Sequence, residues 1–194
     1  MKPESPASAL RELIEGNRRF ASGASERARR DPARRAEVAA GQHPRAAVVT
    51  CSDSRVAPEI VFDQGLGDIF VVRTAGNLID TYGIASLEYA AAHLGVPLVV
   101  VMGHSRCGAV EAALQEGEAS GNLPAIISAL EPAIEAAKGR GGDLVDAAAR
   151  ENVRSAVAAL ELRETVIGVL AASGRLRVVG AFYDIERGTV EFFA

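Results

Sequence analysis

The sequence predicts an α/β fold in three layers. A mostly parallel central sheet of four strands carries an added antiparallel edge strand, helices cover both faces, and a helical arm precedes them. Two observations predict this. The short runs AAVVTC, DIFVVRTA, PLVVVMG and RLRVVGAFYD are β-branched and nearly continuously apolar, as strands buried on both faces are. Helical stretches separate these runs, and that alternation produces crossover connections and parallel neighbours. The 194 residues, 48% of them hydrophobic, suffice for one domain with a full core, spanning residues 1–194.

In chain order, SALRELIEGNRRFAS sets Leu10, Leu13, Ile14 and Phe20 on one helical face, with Ser8 as the expected N-cap. The polar, Arg-rich ERARRDPARRAEVAAGQHP reads as a loop and a short helix whose arginines face solvent. These segments form an N-terminal helical arm over residues 1–40. After the first two strands, YGIASLEYAAAHLG reads as a helix closed by Gly95, and GAVEAALQEG as one ending near Gly117. LPAIISALEPAIEAAKG and GDLVDAAARENVRSAVAALELRETVIGVLAASG read as long, Ala-rich helical stretches. A turn at ERG leads into TVEFF, the expected antiparallel edge strand. No internal repeat or low-complexity segment interrupts the pattern.

Composition excludes several roles. A net charge of −4 argues against a nucleic-acid or anionic-membrane binder. With no Trp and 5% aromatics, a stacking platform for single strands is not expected. No apolar run approaches the roughly 20 residues of a membrane span, and MKPESPASALREL lacks a signal-peptide core. Two cysteines and no export signal point to a reducing cytoplasm, where thiols are free to act as ligands.

Those two cysteines lie at telling places. Cys51 ends the first strand, and His104 ends PLVVVMGH. Open α/β sheets bind ligands outside the carboxyl ends of their strands, so both fall on one rim. Cys107 follows His104 by three residues at a strand-to-helix junction, close enough to share its side. Either cysteine alone reads as a small buried hydrophobe. Together, two thiolates and an imidazole form a catalytic zinc set, and soft sulfur favours zinc over magnesium or calcium. A closed structural site wants four Cys or His ligands, and no third Cys exists. The fourth position therefore falls to Asp53, to water, or to each in turn. His43 and His93 read as non-ligands.

Cys51, Asp53 and Arg55 alternate in CSDSR, so an extended segment points all three into one pocket. Arg55 can grip the Asp53 carboxylate with two hydrogen bonds and keep it ionised. Spacing leaves two readings open: a plain salt bridge, or an aimed acceptor for a metal-activated water. Gly108 begins a helix, where its N–H can face an anion.

The motifs CSDSR (Cys51 to Arg55) and HSRCGAV (His104 to Val110) resemble those of the β-class carbonic anhydrases. LIEGNRRF, GDIFVVRTAGN, SLEYAAAHLGV and VVGAFYDIERG extend the resemblance over nearly the whole chain. It implies Zn(2+) on Cys51, His104 and Cys107, with Asp53 and Arg55 as the catalytic dyad and Asp53 a fourth ligand in a closed state. It implies reversible hydration of carbon dioxide to bicarbonate and a proton through a zinc-bound hydroxide. Gln42, Phe70 and Tyr89 match substrate-pocket positions, beside Gly108, and Ala75 stands where many members carry Val. The resemblance further implies a homodimer or dimer of dimers with sites at the interface and the residue 1–40 arm on the partner subunit. Val48 replaces the Trp of a bicarbonate-stabilised inactive state known in some members. A carbonyl sulfide or carbon disulfide hydrolase on the same site, and a non-catalytic zinc-binding regulator, are the alternatives.

Overall fold

The computed structural model describes residues 5–115, 119–162 and 164–193. Among these the elements run α1 (Pro6–Ala21), α2 (Pro32–Val38), β1 (Ala46–Cys51), α3 (Pro58–Val61), β2 (Ile69–Thr74), α4 (Thr81–Glu88), β3 (Leu98–His104), α5 (Gly108–Leu114), α6 (Leu123–Ala137), α7 (Leu144–Leu160), α8 (Val166–Ala172), β4 (Arg177–Tyr183) and β5 (Val190–Phe193). A tight turn over Ala75–Asn77 follows β2, and a wide turn over Tyr89–His93 prolongs α4. The strands form one sheet in the order β2-β1-β3-β4-β5, with parallel pairs except for β5, which runs antiparallel to β4. This is the sheet the sequence predicts.

Strand parity divides the core. Val48, Val100 and Met102 point to the face covered by α1 and α3, where Ala9, Leu13 and Val61 join them. Val49, Val99 and Val101 point to the other face, against Leu87 of α4 and Val153 and Val157 of α7. All six strand residues are fully buried, and each such valine contributes about 1.5–3 kcal/mol of transfer free energy. A third cluster, containing Cys51, Cys107, Val110, Leu130 and Phe182, caps the carboxyl ends of the strands.

Parts of the sequence reading need correction. Ser5, not Ser8, caps α1: Pro6 takes the first helical position, and Ser5 and Ser8 form a reciprocal capping box. The final long helical stretch is two helices. Thr165 accepts the Gly168 N–H and starts α8 afresh, while a Cβ at Gly168 would lie 1.9 Å from the Leu162 carbonyl oxygen. The expected helix end at Gly117 lies outside the described residues.

The arm is more firmly attached to its own chain than its polarity suggests. Ala9 and Leu13 of α1 sit in the chain's own core. Gly16 allows close contact, since a Cβ there would meet the Phe62 carbonyl oxygen at 1.9 Å. Asn17 donates to the carbonyls of Val61 and Gly188 and accepts from the Val190 N–H. Of the arginines expected to face solvent, Arg27 and Arg35 are exposed, while three reach inward. Arg29 and Arg34 bind the buried Asp68, and Arg30 donates to the Gln64 carbonyl.

Candidate metal centre

β1 and β3 lie side by side with Thr50 opposite Met102, so Cys51 and His104 emerge at the same sheet edge. Cys107 returns to that edge through a sharp turn. The Ser105 N–H donates to the Tyr183 carbonyl, the Arg106 N–H donates to Asp146, and Arg106 takes a left-handed φ of 52°. That conformation costs a non-glycine residue on the order of 1 kcal/mol or more, offset here by the bonds on either side. The sulfurs of Cys51 and Cys107 and a ring nitrogen of His104 all lie within 4.8 Å of one another.

This trio suits a cation. His104 is fully buried, and its Nδ1 lies 2.9 Å from the Ser105 carbonyl oxygen. A carbonyl only accepts, so Nδ1 carries the proton and Nε2 presents a lone pair. Nε2 has no hydrogen-bond partner among the described residues. A buried acceptor facing two sulfurs with nothing to bind is costly unless an ion takes its lone pair.

The sulfurs lead to the same conclusion. The neighbouring Cys107, against the effect of burial, lowers the Cys51 thiol to about 4, and the N–H groups of Asp53 and Gly76 assist. The same contact and burial push the Cys107 thiol well above its usual range, against opposing N–H groups of Val110 and Ala109. The two buried sulfurs thus do not ionise together unaided, and a bound cation can make both of them thiolates.

Asp53 sits beside the trio, its Oδ2 4.0 Å from His104 Nε2. Arg55 grips it through Nε at 2.9 Å and Nη2 at 2.7 Å, and the Arg55 backbone N–H adds a third bond at 2.9 Å. The Arg55 side chain foremost, and then its backbone N–H, outweigh burial and hold the Asp53 carboxyl at about 2. Arg55 Nη2 also donates to the Arg106 carbonyl, joining the CSDSR and HSRC segments. Arg73 went unnoticed in the sequence reading. From β2 it donates to the carbonyls of Cys51 and Asp53, fixing the segment between them. Its signal was a charged residue inside an otherwise apolar strand.

The expected pocket residues divide into two groups. Ala75 follows Thr74, which pairs with Cys51, and so lies on the metal rim. Gly108 begins α5 beside Cys107 and opens onto free space, with nothing within 4 Å of a Cβ built there. Phe70, by contrast, pairs with Ala47, four residues back along the strand from the Cys51 level, or about 13 Å. Its ring lies 6.4 Å from that of Tyr89, which stacks on His93. Gln42 is exposed in the loop before β1, at the strand end opposite Cys51. One chain therefore does not bring Gln42, Phe70 and Tyr89 to its own metal rim. A largely apolar cleft of about 590 Å³ opens beside that rim, lined in part by Thr74, Ala75, Leu78, Ile126 and Asn152.

Comparison with known proteins identifies the family. The family model for carbonic anhydrase matches residues 46–190. The chain is 44% identical to a carbonic anhydrase of Mycolicibacterium smegmatis, over 98% of this chain and 95% of that protein. It is 42% identical to carbonic anhydrase 2 of Mycobacterium tuberculosis, over 97% and 93%. Among solved structures, a tetrameric β-carbonic anhydrase of Sordaria macrospora superposes with a TM-score of 0.75 at 28% identity, over 95% and 96% of the two chains. The β-carbonic anhydrase CcaA gives 0.72 at 31% identity, over 95% of each chain. With the family model matching residues 46–190 and relatives of 42–44% identity covering nearly all of the chain, the chain belongs to the β-carbonic anhydrase family, as an enzyme of the carbonate dehydratase class.

Proposed function

We propose that the chain hydrates carbon dioxide reversibly as a zinc enzyme, with Cys51, His104 and Cys107 holding the ion. The observation that carries this is the buried Nε2 of His104, without a hydrogen-bond partner among the described residues, within 4.8 Å of the sulfurs of Cys51 and Cys107. Two thiolates and an imidazole suit zinc, which supplies the Lewis acidity that makes water a nucleophile near neutral pH.

The chain's own residues do the rest. Asp53, kept ionised by Arg55, accepts a hydrogen bond from the attacking water and orients its lone pair toward the substrate carbon. Release by Arg55 would free the same carboxylate to move toward the ion, 4.0 Å from His104 Nε2 as it now stands. Ala75 and Gly108, at the start of α5, border the space where carbon dioxide and bicarbonate sit. The apolar cleft beside them suits a nonpolar gas.

The site is completed by a second subunit. Gln42, Phe70 and Tyr89 line no rim in their own chain, yet match pocket positions, which a dimer with interfacial sites reconciles: each subunit lends these residues to its partner's metal. Self-association accords with the tetrameric relative. The residue 1–40 arm then meets the partner through the outer face of α1, since Ala9 and Leu13 are engaged at home. Among the described residues no helix is long and apolar enough to cross a membrane. Two free, buried cysteines suit the reducing cytoplasm proposed for it.

Cys107→Ser is the test. We expect folded protein that has lost both its zinc and its carbon dioxide hydration. A variant that keeps full activity would contradict the assignment.

A further inference from the structure

A buried side chain outside the ligand set and the Asp53–Arg55 pair reaches the metal group through a single residue. Asn152, in the middle of α7, donates from Nδ2 to the Gly76 carbonyl at 2.8 Å. The Gly76 N–H in turn donates to Cys51 Sγ at 3.3 Å. Gly76 takes a left-handed φ of 69°, and a Cβ there would press on Leu130 at 3.3 Å and Ala109 at 3.4 Å. The turn at Gly76 thus has little freedom except rotation of its peptides, and Asn152 holds one of them. Cys51 Sγ accepts a second N–H from Asp53 at 3.4 Å. Each such bond withdraws charge from the sulfur and fixes its direction, and partners of this kind govern how firmly a ligand holds its metal.

We propose that Asn152 is a positioning residue for the metal centre: by holding the Gly76 carbonyl it aims the Gly76 N–H at the Cys51 sulfur and thereby sets how firmly that sulfur holds the ion. This rests on the zinc reading above. Without Asn152 the buried Gly76 carbonyl is left unpaired, and the peptides of the turn rotate to recover a partner. The cost then falls on the N–H···S bond.

The test is zinc retention against a chromophoric chelator, with the visible sulfur-to-metal band of the cobalt-substituted proteins as a second readout. Asn152→Leu removes the donor at similar size, and we expect it to loosen zinc about 10- to 100-fold and to shift the cobalt band. Asn152→Gln keeps an amide donor, and its added methylene borders the open cleft, so its retention and spectrum should stay close to wild type. Val157→Ala, on the same helix but packed in the sheet-face cluster, should lower Tm and leave both metal readouts unchanged. An Asn152→Leu protein with wild-type retention and an unshifted band would overturn the inference alone. A wild-type chain that takes up neither zinc nor cobalt would overturn the metal reading with it. If the Asn152 variants do not fold, cadmium-113 wild type decides. Scalar couplings from the Gly76 amide proton to cadmium, and across the Asn152–Gly76 hydrogen bond, are expected, and the absence of either would overturn the proposal.

Discussion

Asp53 and Asp68 are both gripped by arginine, in opposite ways. Asp68 has a side chain only 2% exposed and is bound by Arg29 at 2.6 Å, by Arg34 at 3.1 Å and by the Gly65 N–H at 2.8 Å. Its arginines lie 39 and 34 residues away, so the pair ties the arm to the loop before β2. Asp53 is 15% exposed, and its single arginine lies two residues away and is itself 49% exposed. Releasing Asp68 means detaching the arm, whereas releasing Asp53 needs only one side chain to swing. The same ion pair therefore serves as a clasp in one place and as an adjustable hold in the other. Burial and the sequence distance of the partner decide which.

The largest effect should come from Asp53→Asn, which keeps the shape and removes the charge. Carbon dioxide hydration should fall by about 10²- to 10⁴-fold in kcat/KM, with Tm nearly unchanged, in stopped-flow and thermal-unfolding measurements. Next is Asp68→Ala, which leaves two arginines without their buried carboxylate. About 3–5 kcal/mol of stability should be lost in denaturant titration, with activity per folded molecule preserved. If Asp68→Ala instead lowered activity as far as Asp53→Asn does, the clasp and the adjustable hold would be one device.

The smallest effect is in acid. Asp63 belongs to the clasp side: burial would raise its carboxyl, but Arg19 and the N–H groups of Glu26 and Arg27 outweigh it and hold the carboxyl below its usual 3.8. A carboxylate depressed in the folded state adds stability that is fully present above its unfolded pKa. That stability disappears as pH falls through the folded value. The stability gap between wild type and Asp63→Asn should therefore be constant above about pH 5 and shrink below about 3.8. A gap that does not narrow in acid would show that Asp63 acts through packing rather than charge.

The sheet was legible because strands buried on both faces leave unbroken apolar runs. The candidate metal set, a group able to hold an ion, was legible because Cys51 and His104 end two such runs. Arg29, Arg34 and Asp68 were not, since a charge run reads as solvated until the fold brings a buried carboxylate to it. The break before α8 was signalled only by Thr165, a single capping residue within an Ala-rich stretch. Gln42, Phe70 and Tyr89 show a different limit. The resemblance implies a pocket role for them without saying whose pocket they would line, and only the fold shows that Phe70 stands four residues back along the strand from Cys51. Asn152 left no local signal at all, because its partner Gly76 lies 76 residues away.

The most direct test is a pH–rate profile of carbon dioxide hydration on protein whose zinc content is measured in the same sample. The account predicts activity proportional to bound zinc, rising with pH through the neutral range. Folded, zinc-loaded protein that stays inactive between about pH 7 and 9 would contradict it.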